Sequence, residues 1–600
     1  METKTLLKEF SQYVILNICG MIGLSCYILA DTFFVSNGLG ANGLTALNLA
    51  IPIYSFVHGS GLMFGMGGAT KYSIYRGQKE YKNADKSFSS TIYIMFALAV
   101  IFMLTGILFS GQLTRLLGAD KNVYHMTKTY LQVILLFAPA FMANDTLICF
   151  VRNDGNPKLS MIGMLTGSFS NIILDYIFIF PLDMGIFGAV LATGLAPVIS
   201  LIVLSKHWLT KQNQFHFVQI KLSFRLTGNI ISLGVPSLIT EMASGIVMIV
   251  FNTIILHLQG NIGVAAYGVV ANLSLVVISI YTGIAQGTQP ILSRVYGYGD
   301  YESQKQILKY ALKTMLVISF GIYLFFLLTT NPIVSIFNSE QNMQLQEIAA
   351  AGLRLYFTAI PFVGFNIIIS AYFTSTEKAL PAQIISLSRG FLMIIPMAFF
   401  LSFILKMTGV WLSFPVTECF VALAGIALYI KSERGKKMFR EMRRKKQILS
   451  EKECIEILEK GTAGVLALLG DNDYPYAVPI SYVYYNSKLF FHGAKSGHKI
   501  DAIKKCSKAS FCVIDQDHIV PEEYTTYFRS VIAFGKIHIM EDETEMKNAI
   551  ERLAVKYYPN DTETNRNAAI NREWKPLCMI ELDIEHLSGK EAIELAKIKR

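Results

Sequence analysis

Apolar runs long enough to cross a lipid bilayer follow one another from the start of this chain to about Lys431. A spanning helix needs about 20 mainly apolar residues, and that criterion predicts twelve spans in two groups of six. The first six lie at about 11–36, 44–70, 89–110, 128–150, 159–180 and 185–205. The second six lie at about 231–257, 264–290, 311–330, 351–373, 382–404 and 409–430. The pattern therefore predicts a polytopic α-helical membrane protein.

The two groups of spans repeat each other at a nearly constant offset of about 220 residues. Three blocks align in this way: Gly40–Ile53 with Gly260–Leu273, Arg152–Lys158 with Thr374–Leu380, and Phe187–Ala192 with Thr408–Ser413. Repeated halves are typical of transporters in which two bundles enclose a site near the membrane midplane. We predict a transport domain over about residues 1–432, with repeats at about 5–210 and 225–432.

Charge adds an orientation to this picture. Only 16% of the residues are charged, the mean hydropathy is +0.43 and the net charge is +10. Basic residues concentrate in alternate loops, among them Lys71, Arg76, Lys79, Arg152, Lys206 and Arg294. The positive-inside rule then predicts a multi-pass protein of the cytoplasmic membrane with both termini in the cytoplasm. No folded basic motif for nucleic acid occurs, so nucleic acid is not a predicted partner.

Composition changes sharply after the last predicted span. Nine basic residues lie between Lys431 and Lys446: Lys431, Arg434, Lys436, Lys437, Arg440, Arg443, Arg444, Lys445 and Lys446. Such a cluster favours the anionic cytoplasmic leaflet, so membrane lipids are predicted partners. We interpret residues 433–446 as a basic linker, with specific regulation by lipid as the alternative. Residues 447–600 then have the length and composition of a separate domain.

Few ionisable side chains interrupt the spans, and a charge at mid-bilayer costs roughly 2.5–3.5 kcal/mol. Asp31 lies in span 1, and Asn171 and Asp175 lie in span 5 at a spacing that places both on one helix face. Two carboxylates and an amide suit Na⁺ as oxygen ligands, or they hold an exchangeable proton. The alternative is a buried polar network that only joins helices.

Other polar residues in the spans leave both interpretations open. Asn144 and Asp145 lie in span 4, and Asn366 is the repeat counterpart of Asn144. Glu241, Arg389 and Glu418 lie in spans 7, 11 and 12. Each suits either contact with the coupling ion or substrate, or structural pairing.

The repeated spans, Asp31-Thr32, RNDGNPK and NIILDYIF together resemble the MATE multidrug and toxic-compound extrusion transporters over about residues 5–432. The resemblance implies export of amphipathic or cationic compounds, driven by Na⁺ or H⁺. It also implies that Asp31, Asn171 and Asp175 form the coupling site, with Asn144 as a further member. Glu241 resembles an acidic position in span 7 that other branches use for coupling.

The tail after residue 447 reads as short strands with few helices, which suggests a small barrel. The segment HGAKSGHKIDAI at His492–Ile503 reads as the end of a strand, a turn and the start of a helix. A helix start beside basic residues favours a phosphate group. The alternative is an ordinary exposed turn with a basic helix start.

The segments YPYAVPISYVYYNSKLFFHGAKSGHKIDAI and SVIAFGKIHIMED resemble the pyridoxamine-phosphate-oxidase-like split barrels, and among these the nitroimidazole-resistance flavoproteins. The resemblance implies an FMN-binding domain and a homodimer with flavin at the subunit interface, although some relatives bind haem. The residues that match the stretch holding the phosphate or lying near the flavin are His492, Ser496, His498 and Lys499. Pro479 and Ser481 match the strand beneath the isoalloxazine ring.

Taken together, the sequence predicts a cation-coupled multidrug exporter that works by alternating access and carries a cytoplasmic flavin-binding domain. That domain is interpreted either as an FMN-dependent oxidoreductase or as a redox sensor. One alternative is a flippase for lipid-linked precursors, which the scarcity of mid-membrane Arg and Lys disfavours. Another is a membrane-tethered flavin reductase, for which twelve spans are more than an anchor needs.

Overall fold

The structure is a computed structural model that describes residues 3–221, 223–338, 341–434, 439 and 442–598. The chain divides into two compact units, Met1–Lys431 and Ser432–Arg600. Each unit is described by itself below. Within the predicted basic linker, Lys436, Lys437 and Arg440 lie outside the described residues.

The first unit is helical. Its first half contains α1 (Thr3–Gly77), α2 (Tyr81–Leu116), α3 (Tyr124–Leu136), α4 (Ala138–Asn153), α5 (Pro157–Ile179), α6 (Gly185–Leu204) and α7 (Lys206–Leu209). Its second half contains α8 (Phe224–Gly297), α9 (Tyr301–Phe337), α10 (Met343–Tyr356), α11 (Ile360–Ser375), α12 (Ala379–Leu387) and α13 (Ile394–Arg434). Side-chain caps mark several starts, since Asn156 accepts from the Leu159 N–H and Asp300 accepts from the Ser303 N–H.

Several of these helices are long enough to cross a bilayer twice. Eight helical stretches of the described residues pass a length and hydropathy criterion for spanning, and the bent pair α3–α4, at 49°, makes a ninth. Four of the nine contain a residue with non-helical backbone angles. One is Thr329, and in the other three the residue has a left-handed φ angle and kinks the helix, at Gly40, Gly260 or Lys406. Dividing those three at their kinks gives twelve spans, which confirms the predicted architecture. We call residues 3–39 and 41–77 the first and second legs of α1, and residues 224–259 and 261–297 the two legs of α8.

The internal repeat is visible in the backbone as well as in the sequence. Residues with left-handed φ angles recur at offsets of 220 to 222: Gly40 (66°) with Gly260 (61°), Lys79 (63°) with Gly299 (74°), Gly155 (92°) with Glu377 (57°), and Gly185 (59°) with Lys406 (52°). Glycine adopts this region without steric cost, whereas other residues are strained there. Lys79, Glu377 and Lys406 adopt it nevertheless, so the repeated topology dictates the turn even where glycine is missing.

Glycines allow α1 and α8 to approach closely at one end of the bundle. We call this the basic end, because it carries the turns at 78–80, 154–156, 298–300 and 376–378. A Cβ added at a glycine here would clash with backbone of the other helix, as it would for Gly67 with Ile230, Gly234 with Met63, Gly283 with Ile18, Gly287 with Val14 and Gly77 with Gly297. Small residues of this kind are the usual means of close helix packing in membranes.

A polar layer crosses between the repeats at the same end. Arg152 is fully buried, and its Nη1 donates to Asn17 Oδ1 at 2.8 Å and to Gln286 Oε1 at 2.7 Å. Asn153 Nδ2 donates to Gln289 Oε1 at 3.0 Å. Two ion pairs add to this layer, Lys71 with Glu377 and Arg294 with Glu9. The two repeats are therefore joined at the basic end by both backbone packing and polar contacts.

The second unit contains one seven-stranded antiparallel sheet in the order β2-β1-β5-β6-β7-β4-β3. The strands are β1 (Ala463–Leu469), β2 (Pro475–Ser481), β3 (Val483–Tyr485), β4 (Lys488–Ala494), β5 (Lys508–Val520), β6 (Thr525–Ile539) and β7 (Leu577–Glu591). The helices are α14 (Glu451–Lys460), α15 (His498–Lys505), α16 (Glu543–Tyr557), α17 (Glu563–Glu573) and α18 (Ile593–Ile598). Strands β2 and β4 also contact each other, so the sheet curls as expected for a split barrel.

The curled sheet turns at Tyr482, which separates β2 from β3. The ring is fully buried, its Oη donates to the Leu458 carbonyl at 2.8 Å, and its N–H donates to Tyr557 Oη at 3.0 Å. The run Tyr476–Tyr485 is continuous and β-rich in the sequence, but in the structure it forms two strands, β2 and β3. Alternation alone does not reveal that the chain leaves one sheet edge at this residue and returns to the other.

The glycine contacts generate a first prediction. A Cβ at Gly234 would lie 1.9 Å from the Met63 carbonyl oxygen, whereas one at Gly268 would meet nothing within 4 Å. We expect Gly234→Ala to destabilise the folded protein by about 1–3 kcal/mol through overpacking. Gly268→Ala is the matched control and should leave stability unchanged or raise it. Thermal unfolding in detergent measures both, and equal midpoints for the two variants would contradict the close packing at the basic end.

Candidate functional site

The first repeat contains two acidic side chains in contact inside the bundle. The first leg of α1 supplies Asp31 and α5 supplies Asp175, and their carboxyl groups lie within hydrogen-bonding reach of each other. Asp31 is 9% exposed and Asp175 is fully buried. Each has a buried Oδ1 atom that finds no hydrogen-bond partner among the described residues. The structure therefore brings together two residues that the sequence placed in separate spans.

Neutral polar groups surround this acid pair. With its amide oriented to satisfy both neighbours, Asn171 donates from Nδ2 to Asp175 Oδ2 at 3.0 Å and accepts from the Thr193 N–H at 3.2 Å. Tyr130 of α3 lies close to Thr193 of α6 and within electrostatic range of Asp31 and Asp175. The sequence analysis found Asn171 but missed Tyr130 and Thr193, because single hydroxyls in apolar helices carry no distinctive signal.

Asn144 does not join the acid pair. Its Oδ1 is buried without a partner, and it forms no hydrogen bond with Asp31, Asn171 or Asp175 in the described part of the chain. The next residue, Asp145, instead places Oδ2 2.8 Å from Nδ1 of His58 on the second leg of α1. His58 was not among the predicted site residues, although a histidine within an apolar span was a usable signal.

The second repeat contains a buried acidic residue, Glu418, that is paired with a basic one, Arg389. Arg389, in the turn at Ser388–Leu392 between α12 and α13, contacts Glu418 Oε1 through Nε at 3.1 Å and Nη2 at 2.9 Å. Asn366 donates to Glu418 Oε2 at 2.7 Å. These contacts favour the structural interpretation of Arg389 and Glu418. Glu241 is not part of this group. It lies on the first leg of α8 and faces Gly59 on the second leg of α1, where an added Cβ would lie 3.0 Å from the Cβ of Glu241.

The second unit has a basic recess at the start of α15. Gly497 precedes the helix with φ of 118° and offers no side-chain cap, so the first N–H groups of α15 are open to an anion. Lys499 Nζ lies against the backbone of Gly493 in β4, where a Cβ would be only 2.8 Å away. Burial lowers the pKa of Lys499, and burial together with the charge of Lys499 lowers the pKa of His492.

Only part of the predicted flavin stretch meets at this recess. His492 and Lys499 are neighbours, but His498 turns away, since its ring stacks on Tyr476 with centroids 4.1 Å apart and lies 3.7 Å from Asp471. Ser496 is exposed in the turn before α15. Pro479 and Ser481 lie on β2, the strand that contacts β4.

Comparison with known proteins identifies the family of the first unit. The MatE family profile matches residues 18–177 and again residues 236–400, one match in each repeat. The chain belongs to the MatE family. The profile described as pyridoxamine 5'-phosphate oxidase matches residues 450–591 in the second unit. This MatE chain therefore carries a pyridoxamine 5'-phosphate oxidase-like domain after its transport domain.

Individual relatives agree with this assignment. The chain is 27% identical over 441 residues to the multidrug export protein MepA of Staphylococcus saprophyticus, covering 72% of this chain and 96% of that protein. It is also 27% identical over 413 residues to MepA of Staphylococcus aureus, covering 68% and 90%. A multidrug resistance MATE family transporter solved in an outward-facing conformation aligns with a TM-score of 0.68 at 23% identity, over 73% of this chain and 99% of that one. The last comparison shows the fold.

The lowered pKa of His492 generates a prediction about pH. Unfolding restores this pKa to its ordinary value, so the unfolded chain binds more protons than the folded domain once the pH falls below about 6.5. The C-terminal domain should therefore lose stability between about pH 7.5 and pH 5, and His492→Gln should reduce that loss. The lowered pKa of His586, which burial causes, leaves some pH dependence in both proteins.

The check is thermal unfolding of fragment 447–600 at the two pH values. His518→Gln, at an exposed position on β5, is the matched control. Equal pH dependence in the His492→Gln and His518→Gln fragments would contradict the account of His492.

Proposed function

We propose that this chain is a cation-coupled exporter of amphipathic or cationic small molecules, with the coupling site at Asp31, Asn171 and Asp175. One observation carries the proposal, namely the asymmetry between the repeats. In the described first repeat the contacting carboxyls of Asp31 and Asp175 form no ion pair, whereas Glu418 of the second repeat is neutralised by Arg389. The first site thus lacks the counter-charge that the second site has, and a cation from solution would supply it.

Simple electrostatics limit which cations suit this site. Two carboxylates in contact inside a low-dielectric bundle repel each other, unless a proton or a metal cation lies between them. The unpartnered Oδ1 atoms of Asp31 and Asp175 are acceptors available to either. Oxygen atoms from carboxylates, amides and hydroxyls are the ligands that hard cations such as Na⁺ prefer. We therefore propose exchange of Na⁺ or H⁺ at this site.

Coupling follows if the occupied and empty sites favour different conformations. We propose that the basic end faces the cytoplasm, as its Lys and Arg residues suggest. Substrate would then enter between the repeats when the contacts at this end open. A cation arriving from the opposite side would bind the acid pair and favour release of the substrate outward. The names of the MepA relatives as multidrug export proteins support this direction of transport.

Removal of either acid tests the coupling site. We expect Asp31→Asn and Asp175→Asn each to reduce ion-driven efflux at least about tenfold, a typical coupling magnitude, while the protein still inserts. Asp183→Asn makes the same chemical change at an exposed turn and should have no effect. Efflux of ethidium from proteoliposomes under a Na⁺ or H⁺ gradient is the measurement. Wild-type rates in both site variants would refute the assignment.

We also propose that the C-terminal domain binds FMN. The uncapped start of α15 and the Lys499 ammonium, which the missing side chain of Gly493 allows to approach β4, fit a phosphate group. His492 would lie beside it, and Pro479 and Ser481 on β2 would lie near the ring. Bound flavin would supply one- or two-electron redox chemistry, for reduction of toxic compounds or for redox sensing. By analogy with its family, we propose that the domain forms a homodimer.

Spectroscopy of the whole protein tests the cofactor. We expect the purified full-length chain to be yellow, or to quench FMN fluorescence at micromolar concentrations, and Lys499→Ala to weaken FMN binding at least about tenfold through loss of a charge-assisted contact. Lys460→Ala, at the exposed end of α14, is the control. A haem-like absorbance band, or no binding of FMN, would overturn the cofactor assignment without affecting the transport proposal.

A further inference from the structure

His58 lies between one acidic residue of each repeat. Its Nδ1 is 2.8 Å from Asp145 Oδ2, which α4 supplies from the first repeat. Glu241, on the first leg of α8 in the second repeat, lies within electrostatic range of both His58 and Asp145. The side chains of His58 and Asp145 are only 15% and 8% exposed. This arrangement is separate from the Asp31–Asp175 pair and is not used by the coupling site proposed above.

Two glycines make this close approach possible. A Cβ at Gly59 would lie 3.0 Å from the Cβ of Glu241, and a Cβ at Gly61 would lie 2.8 Å from Asp145 Oδ2. The residues that flank His58 on its own helix therefore leave space for both acids. A larger side chain at Gly59 would push the two repeats apart beside the imidazole, and one at Gly61 would push α4 away from α1 within the first repeat.

The side chains of two tyrosines, Tyr54 and Tyr27, lie between His58 and the coupling site. The ring of Tyr54, one helical turn before His58, stacks on the imidazole with centroids 5.9 Å apart and planes 3° apart. Tyr54 Oη lies 2.8 Å from Tyr27 Oη on the first leg of α1. Tyr27 is one turn before Asp31 and lies within electrostatic range of Asp31 and Asp175. The two tyrosines thus extend from the acid pair to the boundary between the repeats.

We propose that His58 is a positioning residue for ion–substrate coupling. In this role it links the occupancy of the Asp31–Asp175 site by a cation to the electrostatic interaction between Asp145 and Glu241. The inference rests on the proposed function, since it assumes that a cation exchanges at the acid pair. Imidazole suits this role, because it both donates and accepts hydrogen bonds and changes charge near neutral pH. The charged or titratable groups around it are Asp145 from α4, Glu241 from α8, and Tyr54 from its own helix, with Tyr27 behind Tyr54.

A protonated His58 balances one of its two acidic neighbours and holds the repeats together beside it. A neutral His58 leaves Asp145 and Glu241 to repel each other across the repeat boundary. We expect the tyrosine pair to transmit a change at the acid pair electrostatically, because Tyr27 lies within electrostatic range of both acids, shares a hydrogen bond with Tyr54, and the ring of Tyr54 stacks on His58. Loss of His58 should therefore uncouple transport rather than abolish substrate binding.

The test compares full-length wild type, His58→Gln and the control His257→Gln, at an exposed position of α8, in proteoliposomes with ethidium as the probe. We expect His58→Gln to bind ethidium within about twofold of wild type and to move it down its own gradient. Its ion-driven uphill efflux should fall at least about tenfold, within the usual range of coupling strengths, and the remaining efflux should vary less with pH. His257→Gln should match wild type throughout.

Tyr54→Phe provides a second variant, since it removes only the hydroxyl that contacts Tyr27 and keeps the ring. We expect the same uncoupling from it, so the inference is tested even if His58→Gln does not fold. Wild-type uphill efflux and an unchanged pH profile in either folded variant would overturn the role of His58. If Asp31→Asn still abolishes efflux in that case, the proposed coupling site stands. Absence of ion-driven efflux in the wild type would instead refute the proposed function itself.

Discussion

Two carboxyl groups in contact inside an apolar helical bundle are the constraint on which the transport unit depends. Asp31 and Asp175 are buried, touch each other and keep unpartnered oxygen atoms. Such a pair destabilises the fold unless a cation or a proton accompanies it. This cost is the reason for interpreting the pair as a functional site. Asn171 and Thr193 orient Asp175, and Tyr27 lies near both acids, so the surrounding polar groups are organised around this pair.

The repeated halves share a backbone plan but have different electrostatics. Their left-handed turns recur at a constant offset, and their glycines and polar side chains meet at the basic end. Among the described residues, Asp31 and Asp175 of the first repeat form no ion pair, whereas Glu418 of the second repeat is paired with Arg389. This difference is the basis of the proposal that the first half responds to a cation and the second half does not. His58, between Asp145 and Glu241, lies where the two halves communicate.

Sequence patterns predicted two kinds of feature: elements with a regular hydrophobic pattern, and polar residues whose burial costs free energy. Long apolar runs indicated the spans, and the cost of buried charge drew attention to Asp31 and Asp175. Contacts between distant residues were beyond such patterns: the Arg389–Glu418 pair joins two spans, and His498 stacks on Tyr476 from another strand. The position of His58 within an apolar span was visible in the sequence, but its acidic neighbours, Asp145 and Glu241, come from other helices and were not. The strand break at Tyr482 follows from sheet closure, which alternation does not encode.

The most direct test of the account is to run the exchange backwards. Because coupling between two ligands is reciprocal, a gradient of ethidium alone should drive the coupling ion against its own gradient in proteoliposomes that contain the wild-type protein. Fluorescent indicators of internal pH and Na⁺ would follow the ion while ethidium flux is recorded. The account predicts opposed movement of ethidium and one of these ions in a fixed ratio. Flux of ethidium with no accompanying movement of either H⁺ or Na⁺ would contradict it.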